Sequence, residues 1–235
     1  MGSSRLPGKV LKDIVGQSML ERVIARTRRM RQVHEVVVAT STDTGDDPIV
    51  ELCSRLNVAG FRGHETDVLD RYLHAGRAHH ADVCVRITSD CPLIDPALSD
   101  EIVDLFLSAD PRIDYASNKI PQSYPRGLDT EVFTIDALDR AHRAAHQPYE
   151  RSHVTIYMYE HPTEFRLLSI KSDVDRADWR WCVDTPEDLE FVRRAYTRLG
   201  ADGEFGWKDL VSLLEHEPEL RAINQHVVQK AVQQG

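Results

Sequence analysis

The chain has 235 residues, 41% hydrophobic and 29% charged, with a net charge of −9. That length suits one α/β domain with a sizeable core, and the acidic balance argues against general nucleic-acid binding. No apolar run approaches the roughly 18 residues of a membrane span, so membrane insertion is not expected. Cys53, Cys84, Cys91 and Cys182 form no CxxC pair and show no zinc-motif spacing, which predicts a reduced, cytoplasmic protein.

Charge is unevenly spread. Residues 1–31 hold eight Lys and Arg against Asp13 and Glu21, a net of +6 that leaves −15 for the remainder. Such a start suits a small polyanion, for instance a nucleoside triphosphate, while Arg26–Arg31 read as a solvated helix face. Residues 17–31 are predicted as a helix with Met19, Leu20, Val23, Ile24 and Met30 near one face. "EVVVAT" (35–40) is a continuous β-branched run, as expected of a strand covered on both faces. A helix follows over about 48–56, a short strand near 58–61 and a helix over about 67–79. "DVCVRIT" (82–88) reads as the next buried strand, and Asp95 with Pro96 opens an amphipathic helix as N-cap and N1.

The alternation βαβα predicts a three-layer α/β/α fold with a mostly parallel sheet, whose ligands gather beyond the carboxyl ends of the strands. Residues 113–171 are less regular and read as an arm on a single domain spanning 1–235. "RWCVDTPEDLEFVRRAYTRL" then returns to strand, turn and helix, with Thr185 as N-cap and Pro186 at N1. The last thirty or so residues read as helical and polar.

Several stretches carry chemistry. In "MGSSRLPGKVL", Gly2, Ser3, Ser4, Arg5 and Lys9 combine backbone freedom, hydroxyl donors and cations, as a phosphate-gripping loop does. The GxxxxGK[ST] spacing fails, and a basic surface turn is the alternative. Asp90 in "RITSDCPLIDP" and Asp184 in "RWCVDTPEDL" each follow a predicted strand. Two carboxylates so placed suit one Mg²⁺ bridging protein and phosphates, and a helix cap or loop hydrogen bond is the alternative for each. Arg126 and Asp129 flank Gly127 at a turn in "YPRGLDTEVF", and His153 lies in "ERSHVTIYMY"; each reads as a ligand contact or an ordinary surface or satisfied group. Asp67, Asp70 and Arg71 face a ligand, or Asp67 caps its helix while its neighbours are solvated.

Together these stretches resemble the cytidylyltransferases of the CMP-sugar synthetase superfamily, especially the spore-coat polysaccharide branch. The resemblance runs in order through "GSSRLPGKVL", "GQSMLERVI", "VVVATS", "FRGHETDVLDRY", "VRITSDCPLIDP", "DYASN", "YPRGLDTEVF", "HVTIYMY" and "RWCVDTPEDLEFV". It implies a nucleotide-diphosphosugar-transferase fold and transfer of CMP from CTP to an acidic or modified sugar, releasing pyrophosphate. By position, Gly2, Ser3, Ser4, Arg5 and Lys9 would hold the triphosphate and Asp90 and Asp184 the Mg²⁺. Asp67, Asp70 and Arg71 would lie near the nucleotide, and Arg126, Asp129 and His153 near the acceptor. It also implies a homodimer contacting through residues 113–160.

This sequence departs from the family in three places. Ser18 stands where Pro is frequent, and Ser152 stands where Glu is common. Family members also carry a strand of roughly six residues before the Gly-Ser loop. Either translation starts upstream here or that central first strand is lost, which would leave a gap exposing backbone and core groups. Two other readings stand beside the cytidylyltransferase. One is a glycosyltransferase on a related fold using Asp173-Val174-Asp175, the other an inactive remnant or partner subunit.

Overall fold

A computed structural model describes residues 5–229. Gly8 takes a left-handed conformation (φ 65°) that favours glycine, and it turns the chain into a single 3₁₀ turn, Lys9–Leu11. A small hairpin of β1 (Asp13–Ile14) and β2 (Gln17–Ser18) follows. Ser18 then opens α1 (Met19–Thr27) with a capping box. Its hydroxyl accepts from Glu21 N–H at 3.3 Å, and Glu21 accepts from Ser18 N–H at 2.6 Å. The departure from Pro at this position thus supplies a helix cap.

Two sheets form the centre. In the first, β3 (Val37–Ser41) pairs in parallel with β4 (Ala59–Gly63), connected by α2 (Asp47–Arg55). The second has the order β5 (Val83–Arg86), β7 (Glu131–Thr134), β6 (Tyr115–Ser117), β8 (Leu167–Ser169). Because β7 opposes both β5 and β6, and β6 runs with β8, three of these four strands share one direction.

Alternation along the strands sorts their side chains onto two faces. Ala116 and Val132 join a core with α4 (Pro96–Ser108), α8 (Pro186–Leu199) and α9 (Trp207–His216), which α10 (Pro218–Ala222) closes through Leu220. Tyr115 and Phe133 join a second core with α3 (Val68–Ala78), α5 (Ile135–Ala144) and α7 (Ile156–Glu160). The short α6 (Pro148–Ser152) precedes α7. Three layers result, as expected. The predicted caps also form: Asp95 accepts from Leu98 N–H at 2.8 Å, and Thr185 from Asp188 N–H at 3.3 Å.

Four expectations need correction. First, the sequence predicts β3 covered on both faces and β5 buried, yet Val37, Val38, Ala39 and all of β5 are only half-buried. The cause is a break in the sheet. β3 pairs with β4 alone and β5 with β7 alone, so among the described residues each strand has one edge without a partner. By contrast Val132 and Phe133 of β7, paired on both sides, are fully buried. Helix α3 spans the two pieces, packing on β3, β4 and α5, and its Gly76 abuts Cys84 of β5.

Second, Arg26 is not on a solvated face. It is 2% exposed and donates to the carbonyls of Ile94, Gly203 and Phe205 at 2.5–2.9 Å, while Arg22 binds those of Ile14, Val15 and Ala201. Apart from Ile14, at the end of β1, these carbonyls belong to loops and turns, and the guanidiniums satisfy them. Third, residues 180–183 form no strand beyond an isolated bridge from Arg180 to Arg126; Trp181 N–H goes to the Arg126 carbonyl and Val183 N–H to that of Asp90. Fourth, residues 113–171, read as a less regular arm, contribute three of the four strands in the larger sheet.

Candidate functional site

The loop after β5 and the loop before α8 are sutured by one backbone bond, Val183 N–H to the Asp90 carbonyl at 2.8 Å. That bond brings the two predicted carboxylates together. The Gly8 turn sends Lys9 between them. Its ammonium donates to Asp90 Oδ2 at 3.0 Å, Asp184 Oδ1 at 2.8 Å and the Val183 carbonyl at 2.8 Å. Arg5 Nη2 reaches Asp184 Oδ2 at 2.9 Å. Burial disfavours charge on Lys9, but Asp90 and Asp184 outweigh it and its pKa is raised. Burial likewise pushes Asp184 up, and the bonds to Lys9 and Arg180 more than reverse this, so its pKa is lowered.

A second ring of groups, which sequence reasoning missed, fixes Asp184. Arg180 donates to both oxygens of Asp188 at 2.8 and 3.0 Å and to Asp184 Oδ2 at 2.7 Å. Asp188 is fully buried and also accepts from the Asp184 and Thr185 N–H groups and from Asn224. In the sequence Asp188 looks like an ordinary first-turn acid of α8. The available hint was its spacing from Thr185, which marks a capping box.

The remaining predicted residues divide. Gly2, Ser3 and Ser4 lie outside the described residues. The Arg126 turn touches the site through its backbone, since Arg126 bonds to the Trp179 carbonyl and accepts from Trp181 N–H. Only glycine fits at 127 (φ 106°), because a Cβ there would lie 2.6 Å from the Trp181 carbonyl carbon. Asp129 accepts from Gln122 at 3.1 Å and the Gly127 N–H at 3.3 Å, and burial pushes its pKa up.

Asp67, Asp70 and Arg71 make no contact with Lys9, Asp90 or Asp184 among the described residues. Asp67 caps α3 through Asp70 N–H at 2.9 Å and pairs with Arg151 at 2.5 Å. Asp70 meets His142 at 3.0 Å, and Arg71 donates to the His64 carbonyl at 2.7 Å. His153 ends α6, its N–H bonded to the Tyr149 carbonyl. Asp173 and Asp175 flank the exposed Val174, and Asp175 accepts from Ala177 N–H. Neither bonds to the groups around Lys9 among the described residues.

One further polar cluster lies at the same end of the large sheet. Glu131, 2% exposed, faces Arg86 across the β5–β7 ladder and pairs with it, and it accepts from Tyr115 at 2.9 Å and Thr155 at 2.5 Å. Among the described residues the Arg86 Nε is buried without a hydrogen-bond partner. The sequence offered only two charges within predicted strands as a hint.

Around Lys9 the donors are two carboxylates and a carbonyl, all hard oxygens. Such a set suits a divalent cation that takes its other ligands from phosphates and water. No group of three or more His, Cys, Asp or Glu gathers as a metal cage among the described residues. Nor is any helix there long and apolar enough to cross a membrane.

With this geometry in hand, the comparisons with known proteins are direct. A family model described as "Cytidylyltransferase" matches residues 1–211. The spore coat polysaccharide biosynthesis protein SpsF of Bacillus subtilis is 30% identical over 226 residues, covering 93% of this chain and 92% of its own. A 3-deoxy-manno-octulosonate cytidylyltransferase of Geobacter sulfurreducens is 40% identical over 101 residues, 43% of this chain and 40% of its own. The solved structure of a cytidylyltransferase from Leptospira borgpetersenii superposes with a TM-score of 0.90 at 32% identity, over 98% of this chain and 95% of that one. The chain belongs to the cytidylyltransferase family.

Proposed function

We propose that this cytidylyltransferase moves CMP from CTP to a hydroxyl of an acidic or modified sugar, with Mg²⁺ held by Asp90 and Asp184. The observation that carries the reading is the convergence of those carboxylates, from two separate loops, on one cationic centre. The acceptor class is supported by the relative that acts on 3-deoxy-manno-octulosonate and by the spore-coat polysaccharide protein. The acceptor oxygen attacks the α-phosphorus, a new P–O bond forms, and the bond to pyrophosphate breaks. Bound Mg²⁺ would polarise the phosphoryl oxygens and offset charge on the leaving group. Arg5 and Lys9 neutralise the triphosphate, and positioning of two substrates supplies the remainder, up to about 7–11 kcal/mol when well aligned.

Within this reading Gly2, Ser3 and Ser4 complete the phosphate loop, and Asp67, Asp70 and Arg71 border the nucleotide. Arg126, Asp129 and His153 border the acceptor. The active form is a cytoplasmic homodimer joined through residues 113–160. The test is pyrophosphate release from CTP, ATP, GTP and UTP with a panel of 3-deoxy sugar acids, aminosugars and neutral sugars. Release confined to CTP with an acidic or modified sugar supports the reading. Release with no acceptor preference, or from all four nucleotides alike, overturns it.

A further inference from the structure

The Lys9 ammonium has three donors, and all are used by three oxygens at 2.8–3.0 Å. Asp184 Oδ2 is committed elsewhere, to Arg180 at 2.7 Å and Arg5 at 2.9 Å. Asp184 therefore has one oxygen left for a cation in the cleft, and Lys9 already holds it together with Asp90 Oδ2. A divalent ion taking Asp184 Oδ1 and Asp90 Oδ2 alone would have to displace a half-buried, hydrogen-bonded charge, and an ion held beside it would be repelled at short range. A triphosphate changes the balance, because its oxygens offer Lys9 equally strong charge-assisted acceptors.

We propose that Lys9 is the resident counter-cation of the Asp90–Asp184 pair, and that divalent metal enters only with a triphosphate that draws Lys9 away. This rests on the reading of Asp90 and Asp184 as the metal pair. The site is then protected from idle metal loading, and metal and nucleotide bind as one cooperative unit.

The test uses Mn²⁺ binding to the full chain without nucleotide, read by electron paramagnetic resonance. Wild type should bind Mn²⁺ weakly, and Lys9→Met should bind it roughly tenfold tighter or more, since a competing cation is gone. Lys9→Arg, which keeps the charge, should stay weak. Adding Asp90→Asn to Lys9→Met should abolish the gain. An unchanged or weakened Mn²⁺ affinity in folded Lys9→Met, checked by circular dichroism, overturns the proposal. If Lys9→Met does not fold, wild type alone decides: CTP and Mn²⁺ must each tighten the other by about tenfold or more, and independent binding overturns the proposal. The two readings fail differently. No gain in Lys9→Met, with Asp90→Asn still costing Mn²⁺-dependent CTP binding, defeats the counter-cation and spares the metal pair. Mn²⁺ binding indifferent to Asp90→Asn in every background defeats both.

Discussion

Arg180 and Glu131 are each the hub of a buried charge cluster. Arg180 is the partner that lets Asp188 sit fully buried as a carboxylate, and Asp188 in turn holds the Asp184 loop. Removing one member of a buried ion pair strands the other, so Arg180→Met should cost about 3–5 kcal/mol in urea unfolding. Arg180→Lys should recover only part, because an ammonium cannot grip both Asp188 oxygens as the guanidinium fork does. Full recovery by lysine would contradict the bidentate account. Glu131 makes a second prediction, about pH. Burial pushes its carboxyl up, but Lys119, Arg86, Thr155 and Tyr115 outweigh burial and lower its pKa from 4.5 to about 2. A carboxyl lowered on folding stabilises the fold above its unfolded pKa, so the contribution is whole above about pH 4.5 and fades as the pH falls toward about 2. Wild type should therefore lose more stability between neutral pH and about pH 3 than Glu131→Gln does. Equal acid sensitivity would remove Glu131 from the explanation.

At the scale of elements, the broken sheet sets where the molecule is firm. β7 is paired on both edges and fully buried at Val132 and Phe133, whereas among the described residues β3 and β5 each have one unpartnered edge, and their side chains are mostly half-buried. Phe133→Ala should cost about 3–5 kcal/mol, and Val38→Ala only about 1 kcal/mol, in denaturant unfolding. Amide exchange should follow the same order, with β3 and β5 exchanging faster than β7; matched protection would mean the edges are covered. The sequence foretold much at this level. Asp95 and Thr185, each followed by Pro at N1, located α4 and α8 because capping chemistry is local. What it could not convey was burial that depends on distant chain. Arg26 reads as solvated from the sequence, yet the carbonyls of Gly203 and Phe205 claim it, and that of Ala201 claims Arg22 one turn earlier on α1. Asp90 and Asp184 were legible because each follows an apolar extended run. Arg180 and Asp188 were not, because their partnership crosses a turn and shows no distinct residue pattern.

In the whole molecule, three layers bring the loops after β5 and before α8 to one end of the larger sheet, where Lys9, Asp90 and Asp184 meet. Asp95 and Tyr196 brace that end from behind, Asp95 by accepting from Trp207 N–H at 2.7 Å and Tyr196 by donating to the Pro92 carbonyl at 2.7 Å. A cleft so supported is preorganised, which is where an enzyme that mainly positions phosphates gains its rate. The central claim is that the Asp90–Asp184 pair serves metal-dependent binding of CTP. Calorimetric titration of CTP with Mg²⁺ present and absent, on wild type and on Asp90→Asn, tests it most directly. The account predicts Mg²⁺-dependent binding by wild type, preferring CTP over ATP, GTP and UTP, and weakened roughly a hundredfold or more by Asp90→Asn. Binding of equal strength without Mg²⁺, or undiminished in Asp90→Asn, would contradict it.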